Sequence, residues 1–100
     1  MTRFLITYHD LPYPDLDAVA IDRRALRAWA DKVLGAALVD FGAPLYVVDQ
    51  LSAGTTGPPM EIDGYSIVEA RSVSELRVML ENHPFIALGA TIQINECLEV

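Results

Sequence analysis

The alternation of hydrophobic and polar positions changes period several times along the chain, and each change marks an element. Residues 3–9 are dense in β-formers and predict a strand with Phe4, Ile6 and Tyr8 on one face and Leu5, Thr7 and His9 on the other. Asp10-Leu11-Pro12-Tyr13-Pro14-Asp15 breaks it, because two prolines leave no continuous ladder of donors. Asp15 or Asp17 then caps a helix running to about residue 39. That helix carries Leu26, Trp29, Ala30, Val33, Leu34 and Ala37 at helical spacing, with Arg23, Arg24, Arg27, Asp31 and Lys32 over much of the other face. Gly42 follows, and Leu45-Tyr46-Val47-Val48-Asp49-Gln50 reads as a second strand. Residues 52–60, with two glycines and two prolines, read as a long exposed connection. Asp63-Gly64 leads into a third strand over 65–70. Ser72 sits three residues before Glu75, a capping-box spacing that opens a second helix with Val73, Leu76, Met79 and Leu80 inward. Pro84 disfavours helical geometry in the residue before it, which stops that helix near His83. A last strand is predicted over about 91–100.

The order β-α-β-β-α-β, joined by right-handed crossovers, gives an α+β fold: a ferredoxin-like plait with a four-stranded antiparallel sheet and both helices on one face. On the last strand, Ile92, Ile94 and Leu98 are assigned to the helices. Thr91, Gln93, Asn95 and Cys97 then fall on the open face, with Leu5, Thr7 and His9 across from them. An open face mixing apolar and neutral polar groups is suited to be half of a two-subunit barrel.

Size and charge narrow the class of partner. One hundred residues make a single domain, residues 1–100, with one core. An apolar fraction of 52% is high for so short a chain and points to a partner surface, most simply a homodimer through the sheet faces. A net charge of −7 without a basic patch argues against nucleic acid and against acidic membrane surfaces. No run approaches the ~20 apolar residues of a membrane span, and Phe4-Leu5-Ile6 is too short for a signal core. Cys97 is the only cysteine, so no intramolecular disulfide forms. A reducing, cytoplasmic setting is expected, with Cys97 as a small filler of the last strand.

The last third of the chain, with weaker support from Phe41-Gly42-Ala43-Pro44, resembles the YCII-like and DGPF-type proteins of the dimeric α/β-barrel superfamily. The residues that carry this are Gly64-Tyr65-Ser66-Ile67-Val68-Glu69-Ala70, the 72–80 helix, and His83-Pro84-Phe85-Ile86-Ala87-Leu88-Gly89-Ala90-Thr91-Ile92. The resemblance implies the plait already derived, dimerised through open sheet faces. The family's usual pair, a histidine early in the first helix and an aspartate before the proline, falls here on Ala25 and His83, and the Asp-Gly-Pro-Phe string is absent. The architecture therefore carries over, and the activity does not carry with it.

Candidate chemistry gathers where the topology brings the end of the first strand and the end of the second helix to one edge. His9, Asp10 and His83 meet there as the candidate acid–base set, His9 or His83 acting as base and Asp10 orienting it, since an imidazole titrates near neutrality and a carboxylate can fix its tautomer. The competing structural reading has His83 complementing a helix C-terminus and His9-Asp10 as a solvated strand end. Thr7 and Gln93 on the open face, and Arg24 on the first helix, are the candidate substrate contacts. The three ligands His9, Asp10 and His83 lack the close-spaced pair of a metal site, and Ser52-Ala53-Gly54-Thr55-Thr56-Gly57 lacks the lysine of a phosphate loop, so neither metal nor cofactor is expected. The leading expectation is a cofactor-free enzyme doing proton transfer on a small organic molecule, in a cavity between helix and sheet near His9 and His83. The alternatives are a non-catalytic binding or oligomerisation module and a cofactor-free monooxygenase of the same superfamily.

Overall fold

The computed structural model describes residues 1–12 and 15–100. The part of the proline break that falls on Tyr13 and Pro14 lies outside the described residues. The elements are β1 (Thr2–His9), α1 (Leu16–Val33), a 3-10 turn (Gly35–Ala37), β2 (Leu38–Asp40), β3 (Gly64–Ala70), α2 (Val73–Leu80), α3 (Pro84–Ala87) and β4 (Thr91–Glu96). The sheet order is β2-β3-β1-β4, with every neighbouring pair antiparallel, and this is the ferredoxin-like plait.

Burial follows the pleat. On β3 every even-numbered residue, from Gly64 to Ala70, is buried, while Tyr65, Ile67 and Glu69 are half-buried on the other face. Phe4, Ile6 and Tyr8 join Ser66, Val68 and Ala70 beneath the helices, where they meet Leu26, Ala30 and Leu34 of the first helical region, Leu76 and Leu80 of α2, and Phe85 of α3. Asp15 caps α1 by accepting from the amide of Ala18 at 2.8 Å, and Ser72 caps α2 by accepting from Glu75 at 3.1 Å.

Several boundaries differ from the sequence-based expectation. The first helix ends at Val33, not near residue 39, because Gly35 takes a left-handed φ of 52° that helical geometry excludes. The released residues supply the edge strand β2. The expected strand over 45–50 is absent: Pro44 already faces Gly64, the first residue of β3, so the following residues run past the end of the strand they would have paired with. Gly42 makes that turn possible. Its φ is 78°, and a Cβ there would fall 1.8 Å from the carbonyl oxygen of Tyr65.

β4 stops at Glu96, opposite Phe4, because little of β1 remains beyond that pair, although Cys97 still donates to the carbonyl of Arg3 at 2.9 Å. Cys97 and Leu98 are therefore exposed rather than packed, and Val73 is exposed at the first turn of α2. The sequence reading left 84–88 without an element. There Pro84 opens α3, a short helix whose fixed proline φ suits its first position.

Candidate functional site

His83 is the N-cap of α3. Its Nδ1 accepts from the amide of Phe85 at 3.0 Å, which in the neutral ring places the proton on Nε2. Pro84 fixes the turn that makes this cap possible. The ring is 2% exposed and sits among Trp29, Tyr8 and Phe85, with ring centroids 4.7, 5.2 and 5.2 Å away. Burial pushes its pKa down to about 4, because nothing in this aromatic box repays the loss of hydration that a charged imidazole would suffer. Both His83 Nε2 and Trp29 Nε1 are buried without a hydrogen-bond partner among the described residues.

Beside this box runs a buried polar chain. Ser66 donates its only hydroxyl proton to the carbonyl of Phe41 at 2.7 Å, so the Tyr8 hydroxyl at 2.8 Å must be the donor to Ser66. Burial pushes the Tyr8 phenol up, opposed by the Ser66 hydrogen bond and by the positive charge of Arg23. Arg23 donates to the carbonyl of Gly42 at 3.1 Å and lies over the ring of Phe41 at 4.3 Å, while Arg27 approaches the same ring at 4.9 Å. Sequence reasoning singled out Arg24 instead, which is exposed. The spacing Arg23, Leu26, Ala30 already placed Arg23 on the inward stripe of α1.

His9 occupies the other side of the sheet. Consecutive strand residues point to opposite faces, so Tyr8 enters the core and His9 joins Thr7 on the uncovered face. Its Nδ1 lies 3.0 Å from the carbonyl of Glu61, and its Nε2 lies 2.8 Å from Thr7 Oγ1. A carbonyl can only accept, so Nδ1 carries the proton of the neutral ring. The Nε2 lone pair then faces the Thr7 hydroxyl. Thr7 is 5% exposed, flanked in the ladder by Tyr65 on β3 and Gln93 on β4. Gln93 donates to Asn95 at 3.1 Å, and Asn95 donates to the carbonyl of Leu5 at 3.1 Å, which fixes the rest of the row.

The two histidines therefore do not converge within one protomer: His83 lies under the helices and His9 on the open face. The expected cavity between helix and sheet near His9 is corrected by the same parity, since the His9 ring points away from that layer. Asp10 is exposed with a left-handed φ of 61°, and the ring of His9 is oriented by the Glu61 carbonyl. Asp63 is the carboxylate that ties this corner together, accepting from the amide of Leu11 at 2.9 Å while its own amide donates to Tyr8 at 2.7 Å. Neither Glu61 nor Asp63 stood out in the sequence, because their roles depend on a turn that only the folded sheet closes. A cleft of about 360 Å³ opens next to them, lined by Leu11, Leu45, Tyr46, Pro59, Glu61 and Asp63 among others. Among the described residues no group of three histidine, cysteine, aspartate or glutamate side chains is placed to hold a metal ion, and no helix is long and apolar enough to cross a membrane.

No family model matches the chain, and no curated protein matches it. Among solved structures it is similar to 5-chloro-2-hydroxyhydroquinone dehydrochlorinase (TftG) from Burkholderia phenoliruptrix AC1100, determined in complex with 2,5-dihydroxybenzoquinone. The two share 27% identity over 91% of this chain and 90% of that one, with a TM-score of 0.53. Strand order, helix placement and this likeness together put the protein in the dimeric α/β-barrel superfamily.

Proposed function

We propose that this protein is a YCII-like, cofactor-free enzyme that moves a proton on a small hydroxylated or quinoid ring at the open sheet face. The observation that carries this reading is the held imidazole of His9: Nδ1–H is fixed by the Glu61 carbonyl, and a basic Nε2 faces a hydroxyl on an uncovered surface. The ligand class is supported by the similar dehydrochlorinase, which was determined with a dihydroxybenzoquinone.

In the proposed step a ring hydroxyl of the substrate displaces Thr7 as the partner of His9 Nε2 and gives up its proton there. The electron pair left on oxygen flows into the ring and is reprotonated at a ring carbon; where that carbon bears halide, loss of a second hydroxyl proton to the base expels the halide with its electron pair and leaves the quinone. The freed Thr7 hydroxyl and the amide of Gln93, its ladder neighbour, donate to the developing oxyanion. A second protomer laid on the open face would exclude water above His9 and close the barrel. Half-buried Leu5, Tyr65 and Ile67 on that face support this arrangement. His83 acts as the cap and core residue that positions α3, while Asp10 and Arg24 remain exposed at the periphery.

The test is titration with 2,5-dihydroxybenzoquinone followed by amide and imidazole resonances. Shifts confined to His9, Thr7, Gln93 and their neighbours are expected, with turnover of chlorinated hydroxyhydroquinones falling about 10²–10⁴-fold in His9→Gln. Unchanged turnover in His9→Gln would end the catalytic role of His9. A non-catalytic binding module is the second reading, favoured by the cleft beside Glu61, and it predicts saturable binding without turnover.

A further inference from the structure

Between β2 and β3 the chain makes an excursion that its own body does not cover. Pro44 bridges Gly64 and the amide of Leu45 donates to Asp63 at 3.0 Å, so the β2–β3 hairpin continues past the sheet as two limbs. Gln50 Nε2 reaches the carbonyl of Gly57 across those limbs at 3.4 Å, and Ser52 donates to the carbonyl of Gly54 at the tip. The excursion is tied to itself and at its base, yet it presents apolar side chains outward. Tyr46 is 89% exposed, Val48 88% and Leu51 97%. Clefts open on both sides of its first limb: one reaches Leu11 and Glu61, and the other, of about 430 Å³, reaches Leu16 and Val19 of α1.

Size and charge identify the occupant. A monomeric protein of 11.0 kDa is expected to expose about 5,600 Å². This chain exposes 6831 Å², an excess of about 1,200 Å² over that expectation. The excess is larger than the ~800 Å² that each partner gives up in a standard specific interface. The radius of gyration, 14.6 Å, likewise exceeds the ~13 Å of a compact chain of this length. The protein carries a net charge of −7, so two copies repel each other overall, whereas residues 44–60 contain a single charge, Asp49. The arm, like the uncharged stretch 82–95, is a surface on which a second copy can sit with little repulsion.

We infer that residues 44–60 form an arm that lies against a second copy of this chain, filling the clefts at its base, and that by two-fold symmetry the partner's arm does the same in return. This extends the dimer of the proposed function by assigning its grip to the arm and not to the sheet face alone. It also joins assembly to the site. The return limb ends at Glu61, whose carbonyl orients His9, so seating the arm on a partner holds the imidazole in its Nδ1–H form.

Sedimentation velocity on the full chain tests the inference. The wild type is expected to be dimeric at micromolar concentration. The double variant Tyr46→Asp with Val48→Asp, whose side chains barely touch their own protomer, should keep its circular dichroism and raise the dimer Kd by about 100-fold or more, since two unpaired charges would be buried. The uncharged pair Tyr46→Ser with Val48→Ser should weaken the dimer in the same direction but less. A dimer Kd unchanged in both arm variants, with Gln93→Glu on the sheet face weakening association, overturns the arm and leaves the sheet-face dimer standing. A wild type that stays monomeric overturns both.

Discussion

The two faces of one sheet hold two histidines in opposite circumstances. Under the helices, His83 is shut in an aromatic box, capped onto a backbone amide and kept neutral by burial. On the open face, His9 is held by a carbonyl and a hydroxyl with its ring at the boundary of solvent. They differ by the parity of the strand and by what covers it, not by residue type. An imidazole buried among rings organises packing, whereas one fixed at the edge of an open polar row is available to a ligand. The difference shows how little a histidine's identity reveals about its role before its face is known.

The comparison breaks most visibly if the covered side is opened. Phe85 is fully buried against Tyr8 and His83, and Phe85→Ala should cost about 3–5 kcal/mol, read as a lowered denaturant midpoint with an unchanged slope. A loss below ~1 kcal/mol would mean that this box is not part of the core.

Acid sharpens the contrast between the histidines. The unfolded chain takes up a proton at His83 near its ordinary value of 6.5, and the folded chain does so only near 4. Stability from this residue is therefore complete above about 6.5 and is lost as pH falls toward 4, by about 3 kcal/mol in all. His83→Asn retains an acceptor for the Phe85 amide but cannot titrate. Urea melts of wild type and variant should then differ in slope across that window and run parallel above it. Parallel curves throughout would show that the imidazole is hydrated in the folded state.

The open face should yield the smallest change. Asn95→Ala removes the hydrogen bond to the carbonyl of Leu5 and the exposed acceptor of Gln93, and a cost of about 0.5–1.5 kcal/mol is expected from thermal melts. A much larger effect in isolated protomers would mean that the row is built into the core and is not a surface poised for ligand.

Much of this architecture was written in local pattern. Alternation in β1, β3 and β4 set which residues lie under the helices, because a pleat leaves no other choice once one face is apolar. The acids and hydroxyls before each long helix marked where it starts: Asp15 and Ser72 cap as their spacing predicts. The same pattern misled where long-range pairing outranks propensity. Residues 45–50 are rich in β-formers, yet they become part of the arm because β3 has no length left to pair with them. The less strand-like residues 38–40 take the edge.

The site divides in the same way. That Thr7, His9 and Gln93 share the open face could be read from parity alone. That His83 caps α3 beneath it and that the carbonyl of Glu61 orients His9 could not. The Glu61 contact depends on segments distant in sequence meeting across a turn, and even the local cap of His83 has a backbone amide as its partner; a carbonyl or amide has no signature in the sequence. Sequence fixes the direction in which a side chain leaves the chain; only the closed tertiary structure decides what stands there to meet it.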